Sequence, residues 1–285
     1  MRIHSKSNIS SIVIERYKRR LTRENKNWLC IIIGPTGSGK SYSALRLAEK
    51  IDKKFDINRV AFSPSEFIDI IKNEKLKRGN IIIWDEAGVS LGSRDFMTKS
   101  NKAINYFLQS WRCMNVGLIF TLPSLSMLNN QTRILAHTLM ETMKIDKKNK
   151  QVILKLMELQ YNSTIKKTYR KYIRVLYKKH IYKITKIRVS LPSEELRKKY
   201  EEKKMKFLDN LTIDVKKRIE NKKEQKKNVN IDNIVYVVLK HPDKFLVERN
   251  KRKFINDALI SYHFKIPVST SRLIKNIVEK KLGII

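Results

Sequence analysis

Apolar residues along this chain fall into two textures. Up to about residue 136, short unbroken apolar runs alternate with stretches whose apolar positions return every three to four residues. The runs "WLCIIIG" from Trp28, "NIIIWDEAG" from Asn80 and "VGLIFTLPS" from Val116 read as strands buried on both faces of a parallel sheet, the last stopped by Pro123. A shorter run, "RVAFS" from Arg59, reads as a further strand. Between them lie predicted helices: an amphipathic one over 10–28 that ends in a polar turn, "SYSALRLAEKID" from Ser41, and "SPSEFIDIIKNEKLKRG", whose Ser and Pro mark a helix start. In "KSNKAINYFLQSWRCMN", Ala103, Ile104, Phe107, Leu108 and Trp111 share one stripe, as a helix packed on a core requires. Strands alternating with helices at this spacing predict an α/β layer structure.

Beyond residue 136 the runs shorten and alternate around the polar turn "DKKNK", predicting a β-hairpin that extends the sheet with its lysines toward solvent. "SLPSEELRKKYEEKK" then starts a charged helix, and 218–230 is polar enough to be a linker. Apolar periodicity returns from Ile231 to the end, and no internal repeat is present. The predicted plan has four parts: an N-terminal helical, basic segment (1–27), a core with its hairpin extension (28–190), a charged helix and linker (191–230), and a small helical domain (231–285).

Charge changes the picture. With 62 Lys and Arg against 27 Asp and Glu, the chain carries +35 and repels itself unless it works against a polyanion. Nucleic acid comes first among such partners and an anionic membrane surface second, while a lysine-biased composition is the plain alternative. Nothing reaches the ~18 apolar residues of a membrane span, and the N-terminus has no apolar leader, so a soluble cytoplasmic protein is expected. Cys30 and Cys113 sit in apolar contexts and suit buried free thiols, and the five histidines form no metal-spaced pair.

The sharpest chemistry lies at "IIIGPTGSGKSYSALRLAEK". Gly34, Pro35, Thr36, Gly37, Ser38, Gly39, Lys40 and Ser41 spell G-x-x-x-x-G-K-S between a predicted strand and a predicted helix, with Tyr42 next in the cradle. Glycines let backbone N–H groups turn inward into an anion nest, and the helix N-terminus adds partial positive charge. Lys40 is expected to reach the β- and γ-phosphates of ATP, and the Ser41 hydroxyl to ligate Mg²⁺. A second motif, "IIIWDEAG", delivers Asp85 and Glu86 to the carboxyl end of a buried strand, where ligands sit in open α/β sheets. Asp85 is placed to hold the metal and Glu86 to act as general base toward the attacking water. Thr121, at the tip of the fourth strand, is either a γ-phosphate sensor or a strand-end hydroxyl satisfied by backbone. Arg94, Arg112 and Arg133 fall near the rim, each either an arginine finger for a neighbouring subunit or a surface arginine.

At the C-terminus, "FINDALISYHF", "KIPVS" and "TSRLIKNIVEKKLG" have the cadence of helix, turn, helix, with Leu273, Ile274, Ile277 and Val278 facing a core. Ser269, Thr270, Ser271, Arg272, Lys275, Asn276 and Lys280 then form an exposed face of types that reach phosphates and base edges. A helical domain packed on its own core or on a partner protein is the other reading.

"GPTGSGKSYSALRLA", "IIIWDEAG" and "SRDFMTKSNKAINYFLQSWRCMNVGLIFTLPSL" together resemble the HerA/FtsK branch of P-loop ATPases, and more distantly the phage assembly ATPases of the Zot kind. The resemblance runs from Trp28 to about Ile145. It implies a P-loop NTPase fold, with a mostly parallel sheet flanked by helices, and hexameric rings that pump or package DNA through a central channel; a motor on double-stranded DNA is the first function expected. That branch often carries glutamine where Thr121 stands here. A C-terminal helix-turn-helix, winged-helix-like unit would complete a DNA motor. An ATP-switched DNA-binding regulator, or an extrusion ATPase acting on protein or single-stranded DNA, are the competing functions.

Overall fold

The computed structural model describes residues 6–87, 106–177, 180–227, 231–249 and 252–284. The chain divides into two compact units, one reaching Phe207 and the other beginning at Leu208.

In the first unit, a sheet runs in the order β10–β6–β5–β1–β4–β3–β2, with β7 also paired to β6. Strands β1 (Trp28–Ile33), β2 (Val60–Ala61), β3 (Ile81–Trp84), β4 (Gly117–Leu122) and the start of β5 (Thr138–Asp146) are mutually parallel. β4 sits between β1 and β3, so the strand bearing the glycine loop and the strand bearing the acids are separated by one neighbour. β6 (Gln151–Asn162), β7 (Lys167–Lys171) and β10 (Lys186–Ser190) add antiparallel pairs outward from β5. The expected hairpin is therefore present as β5–β6, turning at 147–150, and its lysines 144, 147, 148 and 150 are exposed. β8 (Ile173–Tyr177) and β9 (His180–Ile184) form a separate ribbon that buries Ile173 and Ile184 in the main core and leaves Leu176 and Ile181 exposed.

Unbroken apolar runs produce this sheet because helices cover both faces. Each fully buried isoleucine, such as Ile31, Ile32, Ile82 or Ile119, contributes about 1.5–3 kcal/mol over its exposed state. On one face lie α1 (Lys6–Thr22) and α2 (Lys40–Ile51), with Val13, Tyr17, Leu21, Ala44 and Leu47 buried. On the other lie α3 (Pro64–Asn73) and the helical stretch 106–110, around Phe67, Leu108, Trp111 and Phe120. α3 starts as its Ser and Pro signalled: the Ser63 side chain accepts from the Glu66 N–H at 3.2 Å, and Glu66 accepts in turn from the Phe62 N–H at 2.8 Å. Ala103 and Ile104 of the expected stripe lie outside the described residues.

Three boundaries differ from the sequence plan. Residues of the N-terminal segment are part of the core: Tyr17 stacks on Trp28 at 4.3 Å between ring centres, and the Trp28 indole donates to Thr138 at 2.9 Å. The charged helix, α5 (Glu194–Lys227), also belongs in its first half to this unit, burying Leu196 and Tyr200. Its second half is helical over 218–227, where the sequence predicted an irregular polar stretch. Lys, Glu and Gln are good helix formers, and polarity without Gly or Pro does not break a helix. Cys113 is exposed, unlike Cys30, because it falls in the short 3-10 turn Trp111–Met114 rather than in a strand.

The second unit contains α6 (Ile231–Lys240), a two-stranded ribbon of β11 (Leu246–Arg249) and β12 (Arg252–Ile255), α7 (Asp257–Phe264) and α8 (Val268–Leu282). Val235, Val238, Phe245, Ile255, Ile260, Ile274 and Val278 make its core. Asn256 caps α7 by accepting from the N–H groups of Ala258 and Leu259 at 2.9 and 3.3 Å. Two expectations about α8 are corrected: Leu273 is half exposed at 50%, and Ser271 is fully buried. The helix is rotated so that Ser271, not Leu273, faces inward, and its hydroxyl is satisfied by the Val268 carbonyl at 3.0 Å.

Candidate functional site

The glycine loop joins the C-terminal end of β1 to the first turn of α2. Gly34 and Gly39 carry φ of 153° and 86°, in the range that suits glycine. Space forbids a side chain at both. A Cβ on Gly34 would fall 1.8 Å from the Thr142 hydroxyl, and one on Gly39 would fall 2.6 Å from Val152 Cγ2. Both blocking residues come from the β5–β6 hairpin, so the extension forms a wall behind the loop. Ser38 is held to that wall by the Thr142 hydroxyl at 2.8 Å. The tip, Pro35, Thr36 and Gly37, is exposed, and a Cβ on Gly37 would meet nothing within 4 Å.

Lys40 is buried under this tip, its ammonium donating to the Pro35 carbonyl at 2.7 Å. Burial lowers its pKa, against the opposing pull of Asp85 and Glu86. Ser41, next along α2, donates its hydroxyl to Asp85 Oδ1 at 2.8 Å and so ties the loop helix to the acid strand. Tyr42 is turned elsewhere: its hydroxyl donates to Glu201 at 2.8 Å. Its pKa is raised, chiefly by burial and then by that carboxylate.

Asp85 follows directly on β3 and is fully buried, whereas the Glu86 side chain is 46% exposed. Glu86 holds a φ of 54°, uncommon for a residue with a side chain, which turns its backbone out of the strand. Thr121 secures that turn. Its hydroxyl donates to Asp85 Oδ1 and accepts from the Glu86 N–H at 3.0 Å. The single Thr121 hydroxyl proton is thus directed at Asp85.

Two residues that sequence reasoning missed complete the cluster, and both come from α5. Tyr200 donates its phenol to Asp85 Oδ2 at 2.6 Å. Lys204, one turn on, lies 2.9 Å from Glu86 Oε1 and 3.6 Å from Asp85 Oδ2. Burial raises the Tyr200 pKa strongly, and the neighbouring Asp85 charge raises it further. For Lys204, burial works to lower the pKa, and the two acids outweigh it and raise it. A pattern of "YEEKK" inside a charged helix is indistinguishable from a solvated face, so no local signal marked either residue.

Of the proposed arginines, Arg133 sits on α4 (Asn130–Leu135) with a buried Nε that has no hydrogen-bond partner among the described residues. Arg94 and the Arg112 side chain lie outside the described residues. In the second unit, Arg272, Asn276 and Lys280 are exposed on α8, and Thr270 and Lys275 are half-buried. Arg272 reaches Asp257 at 3.2 Å, while Lys275 lies 5.2 Å from the centre of the Phe254 ring and 3.8 Å from the buried Glu279.

The cradle fits a nucleotide phosphate: a backbone loop that excludes side chains, an ammonium beneath it, and a tip open to solvent. Its donor set also fits a hard divalent cation, because the Ser41 hydroxyl and Asp85 carboxylate are oxygen ligands already in contact. No group of three or more His, Cys, Asp or Glu side chains suited to a metal occurs among the described residues. No described helix is long and apolar enough to cross a membrane.

A mostly parallel sheet flanked by helices, with this loop closing β1 onto α2, fits a P-loop NTPase fold. No protein-family model matches the chain, and no curated protein does. Among solved structures, the chain is similar to the N-terminal domain of zonular occludens toxin from Neisseria meningitidis, at 17% identity and a TM-score of 0.36, covering 52% of this chain and 95% of that one. It is similar also to the genome packaging NTPase B204 from Sulfolobus turreted icosahedral virus 2 in complex with AMPPCP, at 13% identity and a TM-score of 0.34, covering 50% and 96%. A third likeness is to the FIGL-1 AAA domain, at 14% identity and a TM-score of 0.32, covering 48% and 51%.

Proposed function

We propose that the protein is a magnesium-dependent ATPase that drives a DNA-handling motor of the HerA/FtsK kind. One observation carries the reading: the Ser41 hydroxyl of the glycine-loop helix touches Asp85 at 2.8 Å, with Glu86 next in the chain. That contact joins the phosphate cradle to a metal-holding acid and a candidate base in one site. The backbone N–H groups of 34–41 bind the phosphates, and Lys40 gives up its bond to the Pro35 carbonyl to meet the terminal ones. Ser41 and Asp85 are the residues that would hold magnesium, which when bound withdraws charge from the phosphates and favours their transfer. Glu86 is the half-exposed carboxylate of the pair and, once released from Lys204, orients water and accepts its proton. Thr121 fixes both acids by bonding one side chain and the other's backbone.

The DNA part of the reading is supported by charge. A net +35 is hard to accommodate in a compact chain without a polyanion, and α8 presents Arg272, Asn276 and Lys280 on one exposed surface. In this reading the second unit is a helix-turn-helix module that grips double-stranded DNA, and the first assembles as a homo-oligomer, a hexameric ring, in which Arg112 or Arg133 serves a neighbour's nucleotide. The test is a pair of assays on the purified protein: retention of ATP with and without magnesium, then turnover with and without duplex DNA across a range of salt. Magnesium-dependent retention and DNA-stimulated turnover are expected. Turnover indifferent to DNA, with a marked preference for one duplex sequence, would replace the motor with an ATP-switched regulator.

A further inference from the structure

Lys204 is the one basic side chain recorded within ion-pair distance of both Asp85 and Glu86 among the described residues, at 3.6 and 2.9 Å. It does not arrive there by chance of a loose side chain, because α5 is fastened on either side of it. Phe207 stacks on Phe62 with ring centres 5.1 Å apart, Lys203 donates to the Ile57 carbonyl at 3.3 Å, and Tyr200 bonds Asp85. The Lys204 ammonium also lies 3.2 Å from the Tyr200 hydroxyl, so a turn of α5 presents a cation and a donor together.

From this geometry we infer that Lys204 is a positioning residue of the hydrolytic site: its ammonium serves as the resident counter-ion of the acid pair and competes with the divalent metal for Asp85. This rests on the reading of Asp85 as the metal-holding acid. Asp85 Oδ1 accepts from Ser41 and Thr121 and Oδ2 accepts from Tyr200, and it is the Oδ2 side that the ammonium faces. Two cations on one buried carboxylate repel each other strongly where water is excluded. Metal entry therefore requires Lys204 to withdraw, and its withdrawal also frees Glu86 from the ion pair. One of the pair's two negative charges is thus compensated before metal arrives, and the acids are spared part of the cost of lying together uncompensated.

The experiment compares the wild type with Lys204→Met, which keeps the length and removes the charge, and with Lys204→Arg, which keeps the charge. Mn²⁺ binding to the nucleotide-free full chain is read by electron paramagnetic resonance. Lys204→Met should bind Mn²⁺ about tenfold more tightly than the wild type, one decade in Kd. Lys204→Arg should stay near the wild type. Equal or weaker Mn²⁺ binding by a folded Lys204→Met overturns the inference. Should Lys204→Met fail to fold, amine labelling of the wild type decides: mass spectrometry should show Lys204 modified several-fold faster with millimolar Mg²⁺ than without it, and an unchanged or slower rate overturns the proposal. Retention of ATP by the wild type is measured separately. If it is absent at every magnesium concentration the nucleotide reading fails, while the Mn²⁺ and labelling results still judge Lys204.

Discussion

The Tyr200 hydroxyl lies 2.6 Å from Asp85 Oδ2, although 115 residues separate the two. A phenol from a mostly charged helix thereby satisfies the most deeply buried acid of the site. Replacing it with Phe removes one donor from a carboxylate that cannot reach water. Tyr200→Phe should lower stability by about 1.5–3 kcal/mol, the range for a hydrogen bond to a charged group, measured by denaturant titration. A midpoint unchanged from the wild type would show that the bond has no net worth.

Lys40 and Glu86 are expected to separate binding from chemistry. Lys40→Ala removes the buried ammonium and should abolish retention of magnesium–ATP. Glu86→Gln keeps shape while removing the proton acceptor, so it should retain ATP with turnover down by about 10² or more. Equal losses of binding in both variants would argue against a base at Glu86.

The wall behind the glycine loop makes a steric prediction. Gly39→Ala sets a methyl group 2.6 Å from Val152 Cγ2 at a φ of 86°, where the left-handed backbone alone costs about 1–2 kcal/mol. The double variant Gly39→Ala/Val152→Ala relieves the clash but not the backbone strain. Thermal melting should therefore show the double variant recovering part of the loss attributable to Gly39→Ala, after correction for Val152→Ala alone.

His137 supplies a pH dependence. Its Nδ1 accepts from the Leu29 N–H at 3.0 Å, and burial pushes its pKa down to about 4. The folded state holds this ring neutral where the unfolded chain, with an ordinary value near 6.5, takes up a proton. A group depressed in this way favours folding in full above pH ~6.5 and progressively less as pH falls toward about 4, a loss of roughly 3 kcal/mol by linkage. His137→Asn retains an acceptor that does not titrate and should flatten the stability profile over that interval.

Lys280 is exposed on α8, without the Asp257 contact that engages Arg272. If it neutralises one DNA phosphate, Lys280→Ala should make the slope of log K against log salt shallower by about 0.9, measured by fluorescence anisotropy on a duplex. An identical slope places Lys280 off the DNA.

Much of the candidate site is local, and local chemistry is legible in a linear chain. Trp28 to Ile33, the loop and α2 are contiguous, and so are Ile81 to Glu86, so apolar runs, glycines and paired acids announce themselves at fixed spacing. The hairpin after Thr138 was equally readable, from its alternation and its polar turn. What folding alone decided is which distant side chains close the site. Thr142 and Val152 determine why Gly34 and Gly39 must lack side chains, and Tyr200 and Lys204 determine what the acids hold. In α8, likewise, spacing and polarity placed Leu273 on the core and Ser271 on the surface, and packing chose the serine instead. A periodic pattern states that a helix has faces, while contacts across a hundred or more residues decide what each face meets, because burial and charge pairing are properties of neighbours in space rather than along the chain.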